Sequence, residues 1–282
     1  MSDDGYGATV AKFRLSRRLT QLRREAHYTA NHVCDMLNWG RGKVGRFEAN
    51  QWKRPEMSDI RDLLRIYGVD DAERAELEEL AVRARVRPWW RDYPDIFENE
   101  FPGFENDAER IRVFMPLVLP GLLQTADYTE AVIRGGSRPP SWRRRALEAR
   151  LRRQEILGRS DHPHELIAVI TEASLMYRWG TRLDRRDQID HLVEVGSRPG
   201  VRLHLQRFAD GPPQGMFSPL NIFDLPDGVP SIAYTETDYA IQEVVSPEQV
   251  STYIAAFDRA VDAALEPAQT TTYLSRLAEQ LE

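Results

Sequence analysis

Arg41, Lys43 and Arg46 fall within eight residues, RGKVGRFE, in which Val44 and Phe47 supply an apolar stripe. A guanidinium is a planar fork of donors that matches paired acceptors, and an ammonium is a compact point charge suited to a phosphate. Three cations beside a narrow apolar stripe form a charged face on a short helix. That chemistry points to a polyanion rather than to a small uncharged substrate.

The elements that must hold this face lie just before it. In the run TANHVCDMLNWG, Thr29 is a helix N-cap, and Ala30, Val33, Cys34 and Leu37 recur at spacings of three and four. Asn38-Trp39-Gly40 breaks the pattern, and residues 41–48 begin a second helix. Two short helices with a tight turn, the second one basic, make a helix-turn-helix, whose second helix enters the major groove. Leu15, Leu19, Leu22 and Ala26 form a scaffold stripe ringed by Arg14, Arg17, Arg18, Arg23 and Arg24, while residues 1–11 read as a polar arm. After a loop carrying Lys53 and Arg54, Ser58 is the expected cap of a helix with Ile60, Leu63, Leu64 and Tyr67 on its apolar side, ended by Gly68. Asp70 and Asp71 open a fifth helix whose acids precede its arginines, in keeping with the helix dipole.

Charge is divided in the same way. The chain of 282 residues has a net charge of -6, yet residues 12–54 hold eleven Lys or Arg against three acids. This window is at +8, so the remainder carries -14. A basic module on an acidic body is expected when one end touches a polyanion. At 41% hydrophobic and 29% charged, the composition is globular. Cys34 is the single cysteine and excludes an intrachain disulfide; its place on an apolar face makes it a small core residue. No run is long and apolar enough for a bilayer, and MSDDGYGATV is acidic where a secretory signal is basic, so a cytoplasmic protein is expected.

Catalytic chemistry finds little support. Phosphate loops of the G-x-G-x-x-G and Walker types are absent, as is H-E-x-x-H. His162 and His164 form only an H-x-H pair in a polar loop, with His191 and His204 elsewhere. Glu172 has His191, Tyr177 and Asp187 as conceivable acid-base companions, but their geometry is not legible from order alone. The expectation is no enzyme, no catalytic residue, no metal and no cofactor.

Residues 86–95, VRPWWRDYPD, change character abruptly and read as a hinge between domains at 12–86 and 88–282; Trp89 and Trp90 there are packing residues rather than a base-stacking platform. Beyond it, residues 97–114 are expected to be helical, with Ala108, Ile111 and Phe114 on one face. Pro120-Gly121 is a breaker, residues 127–133 a short helix, and residues 141–158 a strongly basic helix with Leu147, Leu151 and Ile156 toward the core. Its arginines are expected to meet acids of the body rather than DNA. Strand candidates follow at 165–171, 201–208, 217–225 and 231–235, with a helix at 185–195 between the first two and two helices at 247–265 and 267–281. In VRLHLQRF, Val201, Leu203 and Leu205 alternate with Arg202, His204 and Gln206. The expected fold is multidomain: an all-α helix-turn-helix domain, then an α+β domain with a small, mostly antiparallel sheet flanked by helices. Such a sheet with aromatics and a Gly/Pro-rich loop can enclose a pocket, so a small-molecule effector, or a sensor fused to a DNA reader, is an alternative reading.

Leu19, Leu22-Arg23, Thr29, Val33, Cys34, Leu37, Val44, Arg46, Phe47 and Glu48 stand at the pattern positions of the Cro/repressor-like, xenobiotic-response-element class of helix-turn-helix domains, which residues 15–68 resemble. The resemblance implies a structural ion pair between Arg23 and Glu48. It also implies base contacts from Arg41, Gly42 and Arg46, and phosphate contacts near Thr29, Ala30 and Lys43, to which Lys53 and Arg54 add nearby charge. Ala30 departs from a frequent glutamine, and Gly42 and Gly45 are expected inside the recognition helix. A homodimer on a two-fold, double-stranded operator follows from that class of reader. PGLLQTADYTEAVI, ARLRRQEIL, AVITEASLMYRWG and DQIDHLVE resemble the C-terminal domain of actinobacterial regulators in a Scr1-type, antitoxin-like group, catalogued as a domain of unknown function. That resemblance covers about residues 88–280 and implies a small neighbouring-gene protein as partner. An antitoxin-like interaction module that autoregulates its promoter is the corresponding alternative.

Overall fold

Helix α1 (Ala8–Glu25) buries Leu15, Leu19 and Leu22 along the scaffold stripe. It starts within the stretch expected to be an arm, because Val10 and Ala11 continue the stripe by one turn and are fully buried. The computed structural model describes residues 7–52, 54–136, 138–159, 165–212, 218–237 and 241–281. The chain divides into two compact units between Asp92 and Tyr93.

The first unit continues with α2 (Ala30–Met36), α3 (Lys43–Glu48), α4 (Met57–Ile66) and α5 (Asp71–Arg83). Thr29 caps α2, its side chain accepting from the His32 amide at 3.2 Å, and Asp70 caps α5 by accepting from Glu73 at 2.9 Å. Three expectations are corrected. The recognition helix begins at Lys43, not Arg41, since Gly42 is its N-cap in the left-handed region at φ 83°, which ordinary residues avoid. Gly42 therefore lies at the start of α3, and only Gly45 is inside it. Ser58 does not cap α4; Glu56 holds that place, and the helix starts at Met57. Leu15, Leu19, Val33, Cys34, Val44, Phe47, Ile60, Leu63, Leu64 and Leu77 share one core. Burying each large aliphatic of this set contributes about 1.5–3 kcal/mol. Trp90, in the short 3-10 turn Trp89–Asp92, is buried and so presents no open ring for a base to stack on.

The second unit opens with α6 (Phe101–Asp107), followed by β1 (Arg110–Met115). This corrects the single helix expected over 97–114: Ala108, Ile111 and Phe114 have helical spacing, but Ile111 and Phe114 lie on opposite faces of a central strand whose two faces are both covered. Then come α7 (Ala126–Arg134), α8 (Pro140–Gln154), β2 (Glu165–Thr171), α9 (Glu172–Met176), α10 (Arg182–Gly196), β3 (Val201–Gln206), β4 (Leu220–Asp224), β5 (Ile232–Glu236), β6 (Ile241–Val244), α11 (Pro247–Asp262) and α12 (Pro267–Glu279). The strand β6 has no counterpart among the expected elements, since IQEV is short and mostly exposed.

These strands form one sheet in the order β3-β2-β1-β4-β5-β6. The β1–β2 and β2–β3 pairs are parallel, and β1–β4, β4–β5 and β5–β6 are antiparallel. The sheet is thus mixed and mostly antiparallel, flanked by helices, after an all-α first unit. Parallel neighbours need long crossovers, and the α7–α8 and α9–α10 segments supply them. One face, with Phe114, Ile167, Ile222 and Ala233, packs against Val250 and Phe257 of α11. His204 and Gln206, on the polar side of the alternating VRLHLQRF, are buried as well, and the His204 Nδ1 lies 3.1 Å from the Leu265 carbonyl. On α8 the buried side chains are Ala146 and Ala149, while Leu151 is exposed, because the helix approaches its neighbours closely through its small residues.

Candidate nucleic-acid interface

The helix pair is held from below by Arg23. Its Nε and Nη2 donate to the two carboxylate oxygens of Glu48 at 2.5 and 2.9 Å, and its Nη1 donates to the Tyr28 carbonyl at 2.6 Å. One side chain of α1 thereby ties the end of α3 to the turn that starts α2. Both partners of the pair are largely buried, with side chains 14% exposed. The Glu48 carboxylate, through its hydrogen bond, raises the Arg23 pKa further. Beside them the Tyr67 hydroxyl is buried without a hydrogen-bond partner among the described residues, and burial foremost, with Glu48 adding, pushes its pKa up.

A second anchor lies beyond α3. The Trp52 indole N–H donates to Ser16 Oγ at 3.0 Å and to the Phe47 carbonyl at 3.3 Å, and its ring packs on Phe47. This fixes Trp52, and with it the end of α3, against α1. A third anchor is Lys43, whose Nζ donates to Asp59 at 2.7 Å and lies 4.0 Å from the centre of the Trp39 ring. Sequence order gave no signal for the Lys43–Asp59 pair, because its members stand sixteen positions apart on two different helices.

What these anchors leave open is specific. Arg41 and Arg46 are exposed, and their side chains have no ion-pair or hydrogen-bond partner among the described residues. A Cβ built on Gly42 would stand 3.7 Å from Arg46 Nη1, so the Arg46 guanidinium reaches back over Gly42 toward the start of α3. Helical side chains lean toward the N-terminus, and this lean gathers Arg41, Gly42 and Arg46 at one end of the helix. Thr29 and Ala30 stand at the start of α2, the former exposed. Arg24 and Arg54 are exposed and unpaired among the described residues, whereas Arg18 is bound by Glu73 and Glu25. Lys53 lies outside the described residues.

The basic helix α8 behaves differently. Arg145 pairs with Asp95 at 2.8 Å, and Arg153 places two donors on Glu105 at 2.6 and 2.7 Å. Arg150 donates to Gln124 Oε1 at 3.1 Å, and burial, reinforced by Arg153, lowers its pKa to about 10. The PGLLQT run is the hub of this region. Gln124 donates to the Leu119 carbonyl, Gln154 reaches the carbonyls of Gly121 and Gln124, and Gln188 accepts from the Thr125 amide while donating to the Leu123 carbonyl. These bonds satisfy the peptide groups of an irregular buried segment, which would otherwise be costly. They explain why glutamine and glycine recur there without implying catalysis.

The acid-base companions of Glu172 are not brought together. Its carboxylate accepts instead from the Tyr273 hydroxyl at 2.7 Å and the Phe208 amide at 2.6 Å. His162 and His164 lie outside the described residues, and among the described ones no group of His, Cys, Asp or Glu is placed to hold a metal. No described helix is long and apolar enough to cross a membrane.

Comparison with known families agrees with this division. Residues 14–77 match a model described as a helix-turn-helix domain, which supports a DNA-binding regulatory role. No curated protein and no solved structure matches the chain. Residues 99–276, more than half of the chain, match the domain of unknown function DUF5753, and the chain belongs to that family.

Proposed function

We propose that the chain is a sequence-specific transcriptional regulator that acts in the cytoplasm as a homodimer on a two-fold, double-stranded operator. The observation that carries this reading is the pair Arg41 and Arg46: exposed and unpartnered among the described residues, at one end of α3, in a unit where Arg18, Arg23 and Lys43 are engaged by acids. Arg41 and Arg46 address base edges over the open backbone at Gly42. Thr29, Ala30 and Arg54 contact phosphates, Lys53 adds charge next to Arg54 in the sequence, and the exposed Arg24 is a further phosphate contact. Lys43 reaches a phosphate only by leaving Asp59. The second unit supplies the dimer contact and receives an effector or a small protein encoded nearby. Tyr177, Leu183 and Phe208, each more than half exposed, are apolar surface suited to meeting another chain. The antitoxin-like reading differs in making that protein contact the main function and promoter binding its feedback.

Arg41→Ala and Arg46→Ala test the base contacts. Each is expected to cost about 1–3 kcal/mol of discrimination at one base pair per half-site. Relative affinities across a randomised DNA library that stay the same in both variants would overturn base reading. Co-purification with neighbouring gene products, and sedimentation of the chain alone, test the partner and the homodimer.

A further inference from the structure

The sheet face opposite α11 encloses a cavity of about 640 Å³, within the range of small-molecule sites. Strand register builds its floor. Val113 of β1 stands opposite Asn221 of β4, and Asn221 opposite Tyr234 of β5, so the three side chains share one face. Phe97, Phe101 and Trp142 supply aromatic walls, and Arg150 reaches in from α8.

Two polar groups in this lining have donors or acceptors to offer a ligand. Asn221 is 7% exposed, and its side-chain amide has no hydrogen-bond partner among the described residues. Asn221 lines the cavity, where a ligand atom or water can meet its amide. Arg150 hydrogen-bonds the neutral Gln124 and feels Glu105 and Glu236 only at longer range, while Arg153 beside it is paired directly with Glu105. A Cβ on Gly121 would come within 2.6 Å of Arg150 Nη1, so the glycine of PGLLQT is what lets the guanidinium lie against that backbone. The lining as a whole holds Arg150 and Arg153 against Glu98, Glu105 and Glu236, a formal balance of -1, so the attraction for an anion is local to Arg150 and a dianion is opposed. One cation, one free amide and aromatic walls define a ligand by its chemistry.

We propose that this cavity binds a small monocarboxylate with an apolar body, its carboxylate on Arg150 and a further polar atom on the Asn221 amide. As an effector site it rests on the reading of the chain as a DNA-binding regulator; the binding itself does not.

The test uses the full chain without DNA, followed by tryptophan fluorescence and calorimetry, with decanoate and phenylbutyrate as probes and decanol and phenylbutanol as their uncharged counterparts. Each acid is expected to bind about tenfold tighter than its alcohol, as a charge-assisted hydrogen bond provides. Arg150→Met is expected to abolish that preference, and Asn221→Leu to weaken both acids. Gly121→Ala keeps the charge but displaces the guanidinium, and is expected to reduce the preference several-fold; it decides the matter if Arg150→Met fails to fold. Absence of binding by both acids, equal affinity for acid and alcohol, or an undiminished preference in Gly121→Ala would overturn the site. Operator affinity is measured separately, so a failure to bind DNA leaves the result for the cavity standing.

Discussion

Arg23 and Glu48 show how a single ion pair positions a reader. Each is about one-seventh exposed, so removing one partner strands a charge where water reaches it poorly. Glu48→Ala is expected to lose about 3 kcal/mol of unfolding free energy, and the double variant Arg23→Met/Glu48→Leu to recover most of it, since an apolar pair of similar volume often replaces a buried ion pair without loss. Denaturant midpoints of the three proteins check this, and an additive double variant would argue against a coupled pair. His204 offers a second test at this scale. Burial lowers its pKa, Arg202 adds to the depression, and the Leu265 carbonyl and Glu266 oppose it; burial likewise lowers His191. An unfolded chain then binds more protons than the fold just below the ordinary value of about 6.5, so stability falls as pH falls through that window. A urea midpoint that drops between about pH 7.5 and 5.5 in the parent, and drops less in His204→Gln, is the expected outcome.

At the scale of elements, the two glycines of the reading helix have opposite characters. Gly42 needs a left-handed backbone, so Gly42→Ala is expected to destabilise by roughly 1 kcal/mol. Gly45 is helical, and a Cβ there would meet nothing within 4 Å, so Gly45→Ala is expected to stabilise by roughly 1 kcal/mol. Thermal melts distinguish the two. If the backbone of α3 approaches DNA closely at Gly45, the stabilised Gly45→Ala protein nevertheless binds the operator more weakly; unchanged affinity would place that helix face away from DNA. The helices of the first unit were largely legible because their apolar residues recur at helical spacing, with Thr29 and Asp70 capping α2 and α5. β1 was not, because a strand buried on both faces loses the alternation that marks a strand, and Ile111 and Phe114 then mimic a helical spacing. The short exposed β6 lacked any apolar pattern to read.

Across the whole molecule, the charge division sets the response to salt. Operator affinity is expected to fall steeply with ionic strength, and Arg24→Ala and Arg54→Ala each to reduce the slope of log K against log salt by about 1. Lys43→Ala should leave that slope nearly unchanged and lower stability instead, because Asp59 already holds the ammonium. Filter binding or fluorescence anisotropy across a salt series checks both; a full unit of slope lost in Lys43→Ala would return that residue to the phosphate contacts. Local order along the chain determined the helix-turn-helix, the basic window of residues 12–54, the two closing helices and most strands, because these depend on spacing, capping and charge within a few residues. Tertiary structure alone decided which cations stay open. Arg41 and Arg46 are left without acids, Lys43 is claimed by an aspartate sixteen positions away, and Arg150 is set beside a neutral glutamine while Arg153 takes Glu105. An arginine looks the same in sequence whether or not a carboxylate waits for it, and only the folding of distant segments onto one another brings that carboxylate within reach.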